Sequence, residues 1–173
     1  LPEAAVQVLQ TTERSAVSDM LGRGDMIDVI VPRGGKSLIE RVKREATMPV
    51  IQHLDGVCHV YLDDHADPRK GKEIAFNAKT QRYGTCNTME TLLATPKSAA
   101  LIFPSLLVEL SEAGVELRGC PRTQSYHSGV IPAKEADWSE EYLGPILAVR
   151  IVDDLAAAID HIAAYGSKHT DSI

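Results

Sequence analysis

Short runs of apolar, β-branched residues alternate along this chain with stretches in which apolar residues recur every three or four positions. Ala5-Val6-Gln7-Val8-Leu9 predicts a strand. Thr11, Thr12 and Glu13 then open a helix with Ala16, Val17, Met20 and Leu21 at helical spacing, closed by Gly22 and Gly24. Ile27 to Val31 predicts a second strand and Pro32-Arg33-Gly34-Gly35 a turn. Ser37 starts a helix whose apolar face is Leu38, Ile39, Val42 and Ala46, and Pro49 to Gln52 predicts a third strand. Strand and helix alternating in this way argue for parallel βαβ units.

A second series repeats the pattern. Val60-Tyr61-Leu62 predicts a strand, and Asp67-Pro68 begins a helix carrying Ile74, Ala75 and Ala78. Glu90 to Ala94 predicts the next strand, and Thr95-Pro96 is a good N-cap and first-turn pair. The following helix carries Ala100, Leu101, Phe103, Leu106, Leu107 and Leu110, with Pro104 expected to kink or divide it. Val115 to Arg118 predicts a strand, and Pro121 to Asp137 is polar and irregular. Ile146 to Val152 is the most continuous apolar run and predicts a central strand covered on both faces. Asp153-Asp154 caps a last helix with Ile159 and Ile162, ending at Gly166. The fold class is α/β, with a domain boundary near Gly56 that separates residues 1–56 from 57–173. Leu1 is no methionine start, and Lys168 to Ile173 reads as the beginning of a strand, so the chain is expected to be an internal piece of something longer.

Composition narrows the function classes. The net charge of −6 leaves no dominant basic face, which argues against a nucleic-acid or membrane-surface partner. No run is long and apolar enough to span a bilayer, and Leu1-Pro2-Glu3-Ala4 does not resemble a signal peptide. The cysteines, Cys58, Cys86 and Cys120, are odd in number and lack metal-ligand spacing. They fit a reducing, cytoplasmic setting better than a disulfide framework. His53 and His59 do not make a zinc site without further ligands at suitable spacing, and no metal is expected.

Four segments carry candidate chemistry. Cys86 follows the turn Tyr83-Gly84-Thr85 and precedes an apolar run, so its thiol can be both accessible and rigidly held, as a nucleophile must be; a buried structural cysteine is the alternative. Gly34 and Gly35 lie between a strand and a helix N-terminus, where backbone amides favour phosphate and Arg33 can add charge, although such a pair can also be only a turn. A carboxylate in Glu140-Glu141-Tyr142-Leu143-Gly144-Pro145 can accept hydrogen bonds from sugar hydroxyls, or be a solvated loop. His53 ends the third predicted strand, where it is either an acid–base group or a satisfied polar residue.

Taken in order, these segments resemble the aldehyde dehydrogenase superfamily, and within it the gamma-glutamyl phosphate reductase family. The resemblance rests on Ile27 to Gly35, on His53-Leu54-Asp55-Gly56-Val57-Cys58-His59, on Asn77-Ala78-Lys79, on Cys86-Asn87-Thr88-Met89-Glu90-Thr91-Leu92-Leu93 and on Trp138 to Pro145. It implies that residues 1–56 are the C-terminal part of a Rossmann-like NADP-binding domain. Residues 57–173 would then be a catalytic domain, incomplete at its C-terminal end. It implies that Cys86 is the nucleophile, and that Arg33, Gly34 and Gly35 lie on the cofactor pyrophosphate side. Glu141 would hold the nicotinamide ribose, and His53 and Asn77 would be candidate substrate or acid–base groups. The implied reaction is NADPH-dependent reduction of L-glutamyl 5-phosphate to glutamate-5-semialdehyde through a cysteine thioester, in proline biosynthesis, by a full-length protein that is a homo-oligomer. Most of the superfamily has a glutamate where His53 falls, and that glutamate activates water; an acyl-phosphate reductase does not need it. Leu143 stands where a phenylalanine is usual. The competing readings are another acylating or hydrolytic aldehyde dehydrogenase, and a non-catalytic α/β interaction domain.

Overall fold

The computed structural model describes residues 2–52 and 55–173. The chain divides into two compact units, Leu1–Leu54 and Asp55–Ile173, against an expected boundary near Gly56.

The first unit contains two helices, α1 (Ser15–Leu21) and α2 (Lys36–Glu45). Gly22 caps the end of α1, and Gly35 is the N-cap of α2. Among its described residues, Leu21, Ile39, Val42 and Met48 are the buried apolar ones. The expected strand over Ala5–Leu9 is not formed: Glu3–Ala5 is a short 3-10 turn, and Val6, Val8 and Leu9 are exposed. The strands expected at 27–31 and 49–52 reduce to one parallel bridge, Ile30 to Val50. That bridge is the pairing a βαβ unit requires. Among the described residues these two segments pair with no third strand, and two short strands alone do not sustain a longer ladder.

The second unit is a six-stranded, all-parallel sheet ordered β4-β3-β5-β2-β1-β6. The strands are β1 (Cys58–Leu62), β2 (Met89–Ala94), β3 (Glu116–Gly119), β4 (Ile131–Pro132), β5 (Ile146–Ile151) and β6 (Asp171–Ser172). The helices are α3 (Pro68–Thr80), α4 (Pro96–Glu112), α5 (Pro121–Gln124) and α6 (Leu155–Tyr165). One face of the sheet, with Leu92, Leu147 and Val149, packs on Ile102, Phe103, Leu106, Leu107 and Leu110 of α4. Tyr61, Leu93 and Val152 pack with Ala158 of α6 in a separate cluster. β5 is thereby central, as its continuous apolar run requires.

Three helix faces differ from expectation. On α3 the buried stripe is Gly71, Ala75 and Lys79, while Ile74 is exposed. On α4 the expected Phe103, Leu106, Leu107 and Leu110 are buried, together with Ala99 and Ile102, while Ala100 and Leu101 are exposed. On α6, Ala158 and His161 are buried and Ile159 is exposed. Pro104 does not divide α4. It lies on the exposed side with Ala100, whose carbonyl loses its helical partner to the proline but faces solvent. The buried residues that flank Pro104 hold the helix on the sheet. The stretch 121–137, expected to be irregular, contains α5 and β4, and a 3-10 turn over Glu135–Ser139.

Candidate active site

In a parallel sheet every strand starts at the same edge. Gly56 precedes β1, Cys86 precedes β2, and Glu141 lies in the loop that leads into β5. Strands β5, β2 and β1 are consecutive neighbours, so the three residues converge at the amino edge. The Gly56 amide donates to Glu141 Oε1 at 2.8 Å. A Cβ on Gly56 would lie 1.9 Å from the Cys86 carbonyl oxygen and 2.9 Å from Glu141 Oε1. Only glycine allows this approach, because any side chain would drive the cysteine turn and the carboxylate apart.

The cysteine turn is held by its neighbours. The Thr85 and Thr88 hydroxyls both donate to the Arg82 carbonyl, at 2.9 and 2.6 Å, and the Thr88 amide closes on Thr85 O at 2.9 Å. The Cys58 thiol donates to the Cys86 carbonyl at 3.2 Å. Cys86 itself is exposed. Its amide and that of Asn87 donate to no partner among the described residues. The other thiols are placed differently. Cys58 is buried, and desolvation pushes its pKa up to about 11. Cys120 is half-buried; burial raises its pKa, but hydrogen bonds from Thr123 and the Ile151 amide outweigh this and lower it.

Beneath this edge lies a charged pair. Lys79 Nζ, from the last turn of α3, meets Glu90 Oε2 of β2 at 2.6 Å, and both side chains are essentially fully buried, at 0% and 1% exposure. Burial lowers the Lys79 pKa and raises that of Glu90, each opposed by the partner charge. The second Glu90 oxygen accepts from the Leu143 amide at 3.3 Å. Leu143 has φ 51°, a left-handed conformation that a branched side chain seldom adopts. Next to it, the Tyr142 hydroxyl reaches Asp137 Oδ1 at 3.1 Å, and Asp137 also accepts from Arg118 at 2.7 Å.

The remaining expected residues fall as follows. Asn77 is exposed on α3, its carbonyl accepting from Gln81 at 3.0 Å. His53 lies outside the described residues. In the first unit, Arg33 is exposed, and a Cβ on Gly35, at the start of α2, would meet nothing within 4 Å. Reading the residues one by one missed Gly56, Lys79 and Glu90 as site residues. The signals were there: Lys79 falls four residues after Ala75 on an otherwise small, apolar stripe, and Glu90 interrupts an apolar strand. Among the described residues, no group of three or more His, Cys, Asp or Glu side chains could hold a metal ion, and no helix is long and apolar enough to cross a membrane.

No family model matches the chain. Over 99% of its length it is similar to the crystal structure of gamma-glutamyl phosphate reductase from Thermotoga maritima, with 41% identity and a TM-score of 0.89, and it covers 42% of that protein. The corresponding reductase from Saccharomyces cerevisiae is 30% identical over 99% of the chain, with a TM-score of 0.52 and 43% of that protein covered. A betaine aldehyde dehydrogenase from Staphylococcus aureus, solved in complex with NAD+, matches 91% of the chain and 45% of its own length at 12% identity and a TM-score of 0.65, a likeness of fold. The chain therefore spans less than half the length of each relative.

Proposed function

We propose, from the premise that the chain belongs to the gamma-glutamyl phosphate reductase family of the aldehyde dehydrogenase superfamily, that it carries the nucleophile and part of the cofactor site of an NADPH-dependent reductase. This enzyme converts L-glutamyl 5-phosphate to glutamate-5-semialdehyde and phosphate in proline biosynthesis. The observation that carries the reading is the exposed Cys86 beside a half-buried carboxylate, Glu141, which Gly56 fixes in place. The three cysteines are free thiols, in keeping with a reducing cytoplasm.

Cys86 thiolate adds to the acyl carbon, the carbon–oxygen bond to phosphate breaks, and phosphate leaves with the electron pair. The product is a thioester on Cys86, which divides a hard reduction into two easier steps. The amides of Cys86 and Asn87, which have no partner among the described residues, are donors for the tetrahedral oxyanion, a contribution of about 3–4 kcal/mol for one such donor. When bound, a reduced nicotinamide would supply the hydride that reduces this thioester. Collapse of the resulting thiohemiacetal breaks the carbon–sulfur bond, re-forms the carbonyl as the aldehyde and returns the Cys86 thiolate. Glu141 suits a ribose: one oxygen is held by Gly56, and the other carries no hydrogen bond among the described residues, so it can accept from a sugar hydroxyl. Gly35, open at the N-terminus of α2, suits a pyrophosphate.

With His53 at the position where most of the superfamily has a water-activating glutamate, phosphate rather than water resolves the thioester. The test follows NADPH formation from glutamate-5-semialdehyde by the enzyme containing this chain. The rate is expected to depend on phosphate or arsenate. Equal steady-state rates with and without phosphate would replace this reading with a hydrolytic aldehyde dehydrogenase.

A further inference from the structure

We propose that the buried Lys79–Glu90 pair is a positioning device that sets the distance between Cys86 and Glu141. The inference rests on the roles given above to those two residues. Stability alone does not account for the pair. Apolar side chains of similar volume generally replace a buried ion pair without loss, and Lys79 occupies a stripe whose other members, Gly71 and Ala75, are small and uncharged.

What the pair does that apolar packing cannot is present a fixed acceptor. Glu90 stands on β2, four residues after Cys86, so its position is tied to the nucleophile by rigid backbone. Lys79 holds Oε2, which leaves Oε1 aimed at the Leu143 amide, two residues beyond Glu141. Leu143 accepts a left-handed φ of 51°, and this hydrogen bond helps to secure that conformation. The loop is then tied at three successive residues, from Glu141 to Gly56, from Tyr142 to Asp137 and from Leu143 to Glu90. Of these ties, only the last leads to β2, the strand that follows the Cys86 turn. Lys79 Nζ also lies 6.0 Å from the ring centre of Tyr83 and 5.9 Å from that of Tyr142, so the same cation contacts both the cysteine turn and the Glu141 loop.

Two double variants of the enzyme separate positioning from packing. Lys79→Met with Glu90→Gln removes both charges but keeps a carbonyl acceptor for Leu143; Lys79→Met with Glu90→Met removes the acceptor as well. Both are expected to fold. The Gln variant, whose acceptor is no longer fixed by Lys79, should lose about threefold in kcat, and the Met variant should lose about tenfold or more in kcat and in single-turnover hydride transfer with KM little changed, since misplaced groups cost rate steeply. Hydrogen exchange at the Leu143 amide should quicken in the Met variant only. If the Met variant does not fold, Glu90→Asp, which keeps a charge for Lys79 but withdraws it by one methylene, carries the same expectation. Wild-type kcat and unchanged Leu143 exchange in a folded variant lacking the acceptor would overturn the proposal. Should the wild-type enzyme show no phosphate-dependent NADP reduction, the functional reading fails instead, and Leu143 exchange alone then decides whether Glu90 orders the loop.

Discussion

At the carboxyl edge of the sheet the strands run into helix caps. Asp67 accepts the Arg69 and Lys70 amides at the start of α3, each at 3.0 Å, and Thr95 and Ser98 form a capping box on α4. Asp154 accepts the Ala157 amide at the start of α6, at 2.8 Å. At the amino edge the polar side chains bind loops instead: Glu141 takes the Gly56 amide and Glu90 the Leu143 amide, and an exposed thiol is left between them. Open α/β sheets usually bind ligands beyond the carboxyl ends of their strands. In this unit the starts of α3, α4 and α6 at that end are capped by side chains, and the candidate site residues gather at the opposite edge. Side chains that satisfy amides two or three residues away secure helix starts; side chains that reach amides of distant loops bring distant residues together.

Substitutions on the two edges should therefore differ in kind. The largest effect is expected for Cys86→Ser in the complete enzyme, with turnover abolished and cofactor affinity kept; a variant retaining about a tenth or more of the wild-type rate would remove Cys86 as the nucleophile. Glu141→Gln is next. The amide can still accept from Gly56, but it loses the charge that strengthens a bond to a ribose hydroxyl. Hydride transfer should slow by about tenfold, more than cofactor binding weakens, because orientation rather than affinity is disturbed. Rapid-mixing single-turnover traces check this, and unchanged traces would remove Glu141 from the cofactor's ribose. The smallest effect is expected across the sheet. Thr95→Ala should cost about 1 kcal/mol in denaturant unfolding through loss of the α4 cap and leave kcat alone. A clear fall in kcat at unchanged stability would mean that the carboxyl edge takes part in catalysis, and the contrast between the edges would fail.

The sequence by itself determined what depends on neighbours along the chain. Asp67-Pro68, Thr95-Pro96 and Asp154 mark helix starts because a cap satisfies amides only two or three residues away. The apolar run 146–152, interrupted only by Arg150, marked a central strand covered on both faces. Cys86 stood out through its own turn. Helix faces were less legible, because apolar residues such as Ile74, Leu101 and Ile159 lie beside the buried stripe, and only packing against the sheet selects between them. The first unit's strands were over-read for a related reason: apolar alternation fits a strand, but a strand needs partners for its backbone. Tertiary structure alone decided the site. Glu141 and Gly56 are 85 residues apart in sequence, and no local rule gives the order β5-β2-β1 that joins them around Cys86. Lys79 and Glu90 read singly as a helix lysine and a strand glutamate. They become a pair only because α3 runs back across the sheet to the edge where β2 begins, and burial there leaves each charge the other as its ionic partner.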